Sequence, residues 1–274
     1  MDEGLSIAAD ISCIRSFRTV PDLLLSTLLP LLLAPCVGSF LAVLADRLPR
    51  GEDVVTRPSA CRACGARLGP ADLVPVLSFC LRRGHCGTCA APIPSWLLYV
   101  EIAATGLAAL AVAAGGGAVQ VWVSLLWLWL LLALGVADAR AFRLPDVLVL
   151  ALCAVAAAGM ALVGAPIWPP PGQALAGALL GSGAFLTLRL GYRALRGREG
   201  LGLGDVKLMA GLGAFAGPFD LPLMVLMAAL GGLAGAVSWR RARLRRHLKL
   251  PFGSALCAAA GLLWLLRAAH LVPT

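Results

Sequence analysis

Two carboxylates and four thiols carry the chemistry that can be read from this chain. Asp138 ends one long apolar segment and is followed by Leu144-Pro145-Asp146, while Asp205 opens a later segment within Gly202-Leu203-Gly204-Asp205-Val206-Lys207. An ionisable side chain within a bilayer costs about 3 kcal/mol or more, so by default it marks a working site. Two acids that meet can divide the labour of an aspartic protease. One acts as general base toward a water; the other, protonated, polarises the scissile carbonyl and later helps protonate the leaving amine. Close carboxylates cannot readily both be charged, so such a pair shares a proton and titrates as a unit. Glycines at 202 and 204 allow unusual backbone angles and a close approach of substrate backbone to the acid.

The thiols form two knuckles, Cys61-Arg62-Ala63-Cys64 and Cys86-Gly87-Thr88-Cys89, separated by a 21-residue gap. That spacing is close to a zinc ribbon, in which four thiolates surround one Zn ion tetrahedrally. Four thiolates leave no position for a water, so the zinc is structural rather than hydrolytic. Two disulfides are the alternative, and a reducing cytoplasm disfavours them. Cys80 is a spare thiol; Cys13, Cys36, Cys153 and Cys257 read as small packing residues. His85, His247 and His270 form no ligand pattern, although His85 stands beside Cys86.

Each acid also has a bland reading. Asp138 could pair with Arg140 or Arg143. Asp205 could be a helix N-cap with Lys207 as its neighbour, and Asp146 reads as the cap of the helix that starts after Pro145. Asp46, followed by Arg47, reads as a local ion pair.

The elements that must hold these groups are membrane helices. The chain of 274 residues is 60% hydrophobic and only 14% charged, with a mean hydropathy of +0.88. Soluble domains carry about 25% charged residues. Apolar runs long enough to cross about 30 Å of hydrocarbon fall at 23–45, 95–114, 118–137, 147–164, 173–191, 205–217, 221–238 and 252–271. The fold class is therefore an all-α polytopic membrane protein of about eight transmembrane helices, with a small zinc-binding insert between the first two. The expected division is a tail at 1–22, a first helix at 23–46, the insert at 47–94 and a helical bundle at 95–274. Residues 1–22 do not read as a cleavable signal peptide.

Charge sets the orientation. Arg47, Arg50, Arg57, Arg62, Arg67, Arg82 and Arg83 follow the first helix; Arg140 and Arg143 follow the third; Arg193, Arg196 and Arg198 follow the fifth; a cluster from Arg240 to Lys249 follows the seventh. The alternating loops at 115–117, 165–172 and 217–220 contain neither Lys nor Arg. Basic loops stay cytoplasmic, which puts both termini outside, against the contrary vote of Arg15 and Arg18. Asp138 and Asp205 then fall at similar depth on the same, cytoplasmic face. The net charge of +9 is this topological signal together with attraction to anionic membrane lipids, and requires no nucleic acid.

Gly38-Ser39-Phe40-Leu41-Ala42-Val43, Arg47-Leu48-Pro49, the twin knuckles, Pro75-Val76-Leu77-Ser78 between them and Glu101 resemble the N-terminal half of type IV prepilin peptidases. Asp138 with Leu144-Pro145-Asp146, and Gly202 to Lys207 running into Leu208-Met209-Ala210-Gly211-Leu212-Gly213, resemble that family's first and second catalytic motifs, the second being its GxGD motif. The resemblance implies an enzyme of the bacterial cytoplasmic (inner) membrane that cuts the basic leader from type IV prepilins and pseudopilins, after a glycine and before a hydrophobic residue, usually Phe. It implies Asp138 and Asp205 as catalytic acids, and Cys61, Cys64, Cys86 and Cys89 as the cysteines of the family's cytoplasmic domain. Many members also methylate the new N-terminus with S-adenosylmethionine. Two rival classes are a proton- or cation-coupled transporter and a non-enzymatic zinc-bearing assembly factor. The first would place acids near the bilayer midplane, with matching halves.

Overall fold

The computed structural model describes residues 20–198, 200–242 and 251–271. The N-terminal Cys13, Arg15 and Arg18, and most of the basic cluster at 240–249 with His247, lie outside the described residues. Helix α1 spans Leu29–Arg47 and follows one turn at Val20–Leu23 and a π-helical turn at Leu24–Leu28. An insert with one short helix, α2 (Leu77–Leu81), leads to α3 (Ser95–Ala113), α4 (Ala118–Ala141), α5 (Asp146–Leu162), α6 (Pro171–Arg196), α7 (Leu203–Ala242) and α8 (Phe252–Ala268).

Five stretches are long and apolar enough to cross a membrane: Leu24–Arg50, Ser95–Ala113, Ala118–Ala141, Pro171–Arg196 and Leu203–Val237. Helices α5 and α8 are shorter apolar helices of 17 residues each, about the minimum that spans the hydrocarbon. Large apolar side chains cover the outer surface, as on Leu32, Leu150, Leu175 and Phe219. Such a surface suits lipid. The chain is a multi-pass helical membrane protein.

Helix α7 is continuous only in name. Gly217 has φ 69° and ψ 176°, far from helical, and Pro218 follows it. Met209 and Leu221 both abut Gly181, and the start and the far arm of α7 both reach the start of α8, through Asp205–Gly253 and Gly232–Ala255. The chain therefore reverses at Gly217, and α7 is two antiparallel arms. Counting the arms separately gives eight apolar helical segments where the hydropathy placed eight, with the turn inside the loop at 217–220 that lacks Lys and Arg.

The non-helical Gly217 ends the first arm, and the last carbonyls of a helical arm call for donors from outside it. Arg267 of α8, only 1% exposed, fills the gap. Its guanidinium donates to Phe215 O at 2.8 Å, Ala216 O at 2.7 Å, Ile167 O at 3.1 Å and the Asp220 carboxylate at 2.6 Å. Trp127, Trp168 and Phe215 pack beside it with ring centroids 4.6–5.5 Å apart. A similar repair serves the π turn. In π register Leu25 O would need the N–H of residue 30, which is proline, and Trp122 Nε1 of α4 donates to it instead at 2.9 Å.

These contacts define the bundle's two ends. Residues 25, 122, 167, 215–220 and 267 gather at one, and the basic loops among the described residues at the other. There Arg143 donates to Pro49 O at 3.1 Å and Lys207 reaches Asp146.

Candidate active site

Asp138 sits in the last turn of α4, which continues a turn beyond the hydropathy boundary to Ala141, and is 6% exposed. Asp205 is in the first turn of α7. The start of α8 measures how close they are. A Cβ built on Gly253 would lie 3.0 Å from Asp138 Oδ2 and 3.2 Å from Asp205 Oδ1. Two oxygens that close to one point can be no farther apart than those lengths laid end to end. The structure thus brings together two acids 67 residues apart. The backbone N–H of Ser254 donates to Asp138 Oδ2 at 2.7 Å. A cavity of about 410 Å³ opens over the pair, lined by both acids with Leu144, Asp146, Gly204 and Lys207 among others.

The ion pairs that sequence proximity suggested for Asp138 and Asp205 do not form, whereas Asp46 is a local ion pair as expected, with a different partner. Arg140 stacks over the Trp96 ring at 4.1 Å, and Arg143 donates to the Pro49 carbonyl. Lys207 donates to Asp146 at 2.8 and 2.9 Å. Among the described residues no basic side chain forms an ion pair with Asp138 or Asp205. Asp146 is the first residue of α5 but makes no side-chain cap bond; a lysine two residues past Asp205 holds it instead. Asp46 pairs with Arg50 and Arg62, each at 2.8 Å, and not with Arg47. Arg47 is occupied with the carbonyls of Asp53, Arg57 and Pro58, because folding of the insert brings them onto it.

The glycines of the second motif act through packing, not through the unusual backbone angles expected of them. Neither has a positive φ. A Cβ on Gly204 would lie 3.3 Å from Leu144 Cβ and Cδ1, and one on Gly202 would lie 3.3 Å from Asp205 Oδ2. Small size at these positions seats the start of α7 against the first motif.

The sequence reading missed Gly253 and Ser254. The available signal was Pro251-Phe252-Gly253-Ser254 at a helix start, but nothing in the sequence ties that run to a carboxylate.

The insert gathers its own site. Antiparallel bridges Ala60–Arg67 and His85–Pro92 frame the two knuckles, and Gly65 and Ala90, at φ 72° and 56°, turn the chain after each. The ligand atoms of Cys61, Cys64, Cys86 and Cys89 lie within 4.8 Å of one another. Zinc–sulfur bonds of about 2.3 Å set a tetrahedral edge of about 3.8 Å, and Cys61 Sγ and Cys89 Sγ are 3.8 Å apart. Backbone amides favour the thiolate at Cys86 and Cys61, whereas the neighbouring Cys64 thiol helps push Cys89 up to about 12. The Cys89 and Thr88 amides hold the Cys86 thiol down to about 6, and the Cys64 and Ala63 amides lower that of Cys61. The four cysteines therefore fit a metal ion. His85 is turned to the Arg83 carbonyl through Nδ1 at 2.7 Å.

Two further contacts join insert to bundle. A Cβ on Gly38 would come within 2.8 Å of Glu101 Cα, so α1 crosses α3 at glycine contact. The Glu101 carboxylate accepts the Val76 N–H at 2.7 Å. Val76 has φ 61° and ψ −53°, and the Leu77 N–H bonds Pro75 O at 2.6 Å. This is a γ-turn of the rare positive-φ kind, strained at a β-branched residue.

The fold and site define a polytopic membrane protein with a pair of acids, Asp138 buried and Asp205 half-buried, and a tetrathiol insert. Residues 32–114 match the bacterial peptidase A24 N-terminal domain, and residues 125–237 match the type IV leader peptidase family. A prepilin leader peptidase/N-methyltransferase of Burkholderia pseudomallei (strain 1026b) is 36% identical over 226 residues, covering 82% of this chain and 70% of the relative. Proteins of the same description from Dickeya chrysanthemi and Pseudomonas aeruginosa are 34% and 32% identical, each covering 85% of this chain and 89% of the relative. No solved structure matches at a significant level. The chain belongs to the type IV leader peptidase family.

Proposed function

We propose that this protein removes the basic leader of type IV prepilins or pseudopilins, with Asp138 and Asp205 as an aspartic-protease dyad. The observation that carries the reading is the convergence of both carboxylates on Gly253 beneath an open cavity. One acid, ionised, takes a proton from a water in that cavity as the water attacks the scissile carbonyl. The other, protonated, donates a hydrogen bond to the developing oxyanion, and the proton taken up then passes to the leaving amine. The N–H donated by Ser254 leaves Asp138 Oδ2 as an acceptor, so the shared proton rides on one of the remaining carboxylate oxygens.

Localisation to the bacterial cytoplasmic membrane rests on the family, and the orientation of the dyad toward the cytoplasm rests on the gathering of basic loops at its end. A prepilin is then a membrane-inserted helix whose charged leader stays on that side, its scissile bond at the depth of the two acids. The insert at 47–94 is a structural domain whose four cysteines would hold one zinc, and the bundle at 95–274 is the peptidase. N-methylation of the new N-terminus with S-adenosylmethionine is proposed from the relatives' printed descriptions.

Co-expression with a prepilin precursor tests the whole reading. Leader removal appears as a faster band on a gel that is absent without this protein, and mass spectrometry with and without S-adenosylmethionine reports methylation. An unshifted precursor, with both proteins in the membrane, refutes the peptidase.

A further inference from the structure

The start of α8 lies beyond both family matches, the second of which ends at 237, yet it touches both acids. We propose that Gly253 is a positioning residue of the dyad: its missing side chain lets α8 close on Asp138 and Asp205 and hold their carboxylates face to face. This deepens the proposed peptidase reading and rests on it.

The contact distances argue for it. A Cβ at 253 would meet Asp138 Cγ and Oδ2 at 3.0 Å and Asp205 Oδ1 at 3.2 Å, inside ordinary van der Waals separation. Gly253 is buried and has no positive φ, so the requirement is for space and not for backbone freedom. None of the three elements can easily yield. Ala137 and Leu134 beside Asp138, and Leu208 and Met209 beyond Asp205, are fully buried. On α8, Leu256 and Cys257 are buried, Phe252 stacks on Phe185 at 6.2 Å, and Ser254 Oγ ties the helix start to Pro251 O at 2.7 Å. A methyl group at 253 is therefore accommodated by rotating the carboxylates apart. The same approach aims the free amides and positive end of α8 at the acids, and Ser254 already donates one of them.

Gly261 supplies the control. It lies two turns along the same helix, and a Cβ there would meet only Leu131 Cδ1, at 3.9 Å. Both substitutions add a single methyl group to a glycine of the same helix.

The experiment measures kcat and KM for precursor cleavage by detergent-purified full-length protein, with thermal stability and bound zinc determined in parallel. Misplacing a catalytic group by about 1 Å costs on the order of a hundredfold. Gly253→Ala should therefore lower kcat at least about tenfold with KM within about twofold, and Gly253→Val should lower it further. Stability, zinc and the Gly261→Ala variant should stay as in wild type. Unchanged kcat in Gly253→Ala overturns the inference, as does a loss that tracks reduced stability or appears in KM alone. Asp138→Asn separates this from failure of the peptidase reading. If that variant is dead while Gly253→Ala is normal, only the role of Gly253 falls; if it cleaves, the dyad itself falls.

Discussion

Lys207 donates to both carboxylate oxygens of Asp146, from 61 residues along the chain. The pair ties the first turn of α7 to the first turn of α5. It also sorts the acids of the two motifs: Asp146 has its cation, and Asp205 is left to face Asp138.

That sorting predicts a hierarchy among three conservative changes. Asp138→Asn and Asp205→Asn each remove a group that handles the proton and should lower cleavage about 10²–10⁴-fold, while the protein still accumulates in the membrane. Asp146→Asn breaks only an exposed pair, its side chains 45% and 63% accessible, worth about 0–1 kcal/mol. It should keep most activity. Cleavage rates of the three variants decide the matter, and an Asp146→Asn enzyme as dead as Asp138→Asn would transfer the catalytic role.

Metal analysis tests the insert. Wild-type protein should carry roughly one zinc per chain, and Cys61→Ser or Cys86→Ser should drop this well below one, because three thiolates leave the shell open. Limited proteolysis within 47–94 should accelerate in both variants. Purified wild-type protein free of zinc would falsify the assignment.

Glu101 and Val76 give opposite predictions at one contact. Glu101→Ala leaves the Val76 N–H without its carboxylate and should cost about 1.5–3 kcal/mol, loosening the insert from α3. Val76→Gly permits the positive φ at no steric cost and should relieve strain of about 1–3 kcal/mol. Proteolysis of the insert reads both. Slower cutting in Glu101→Ala than in wild type would show that the bond does not anchor the insert.

At the opposite end, Arg267→Ala strips Asp220 and the Phe215 and Ala216 carbonyls of their donor, and should cost about 3–5 kcal/mol. Arg267→Lys should rescue little, since one ammonium cannot reach the positions the planar guanidinium serves. Thermal unfolding in detergent measures both, and a melting temperature unchanged in Arg267→Ala would show the cluster to be dispensable.

Much of this molecule was legible before folding was considered. Membrane crossings announce themselves because lipid demands long unbroken apolar runs, and loop charge betrays their parity. The reversal at Gly217-Pro218 fell inside a loop without Lys or Arg for that reason, although α7 continues as helix on both sides of it. The knuckles were legible because tetrahedral ligation by short loops forces a fixed local spacing. Asp138 and Asp205 stood out because a carboxylate at the end of an apolar run is costly to place there and two of them fell at similar depth.

What stayed hidden was pairing across the bundle. Sequence proximity suggested Arg47 for Asp46, Arg140 or Arg143 for Asp138, and Lys207 for Asp205, and the structure gives each of those cations a different partner. Neighbours in sequence on a helix point in different directions, and side-chain partners are chosen by which helices pack together. Gly253 was hidden for the same reason: one small residue at a helix start among 31 glycines says nothing until its helix closes on another. The sequence alone determined which groups exist and which of them end apolar segments. Only tertiary packing decided which of them touch, because contact depends on how the helices cross, and crossing is set by the sum of many weak apolar contacts that no local motif records.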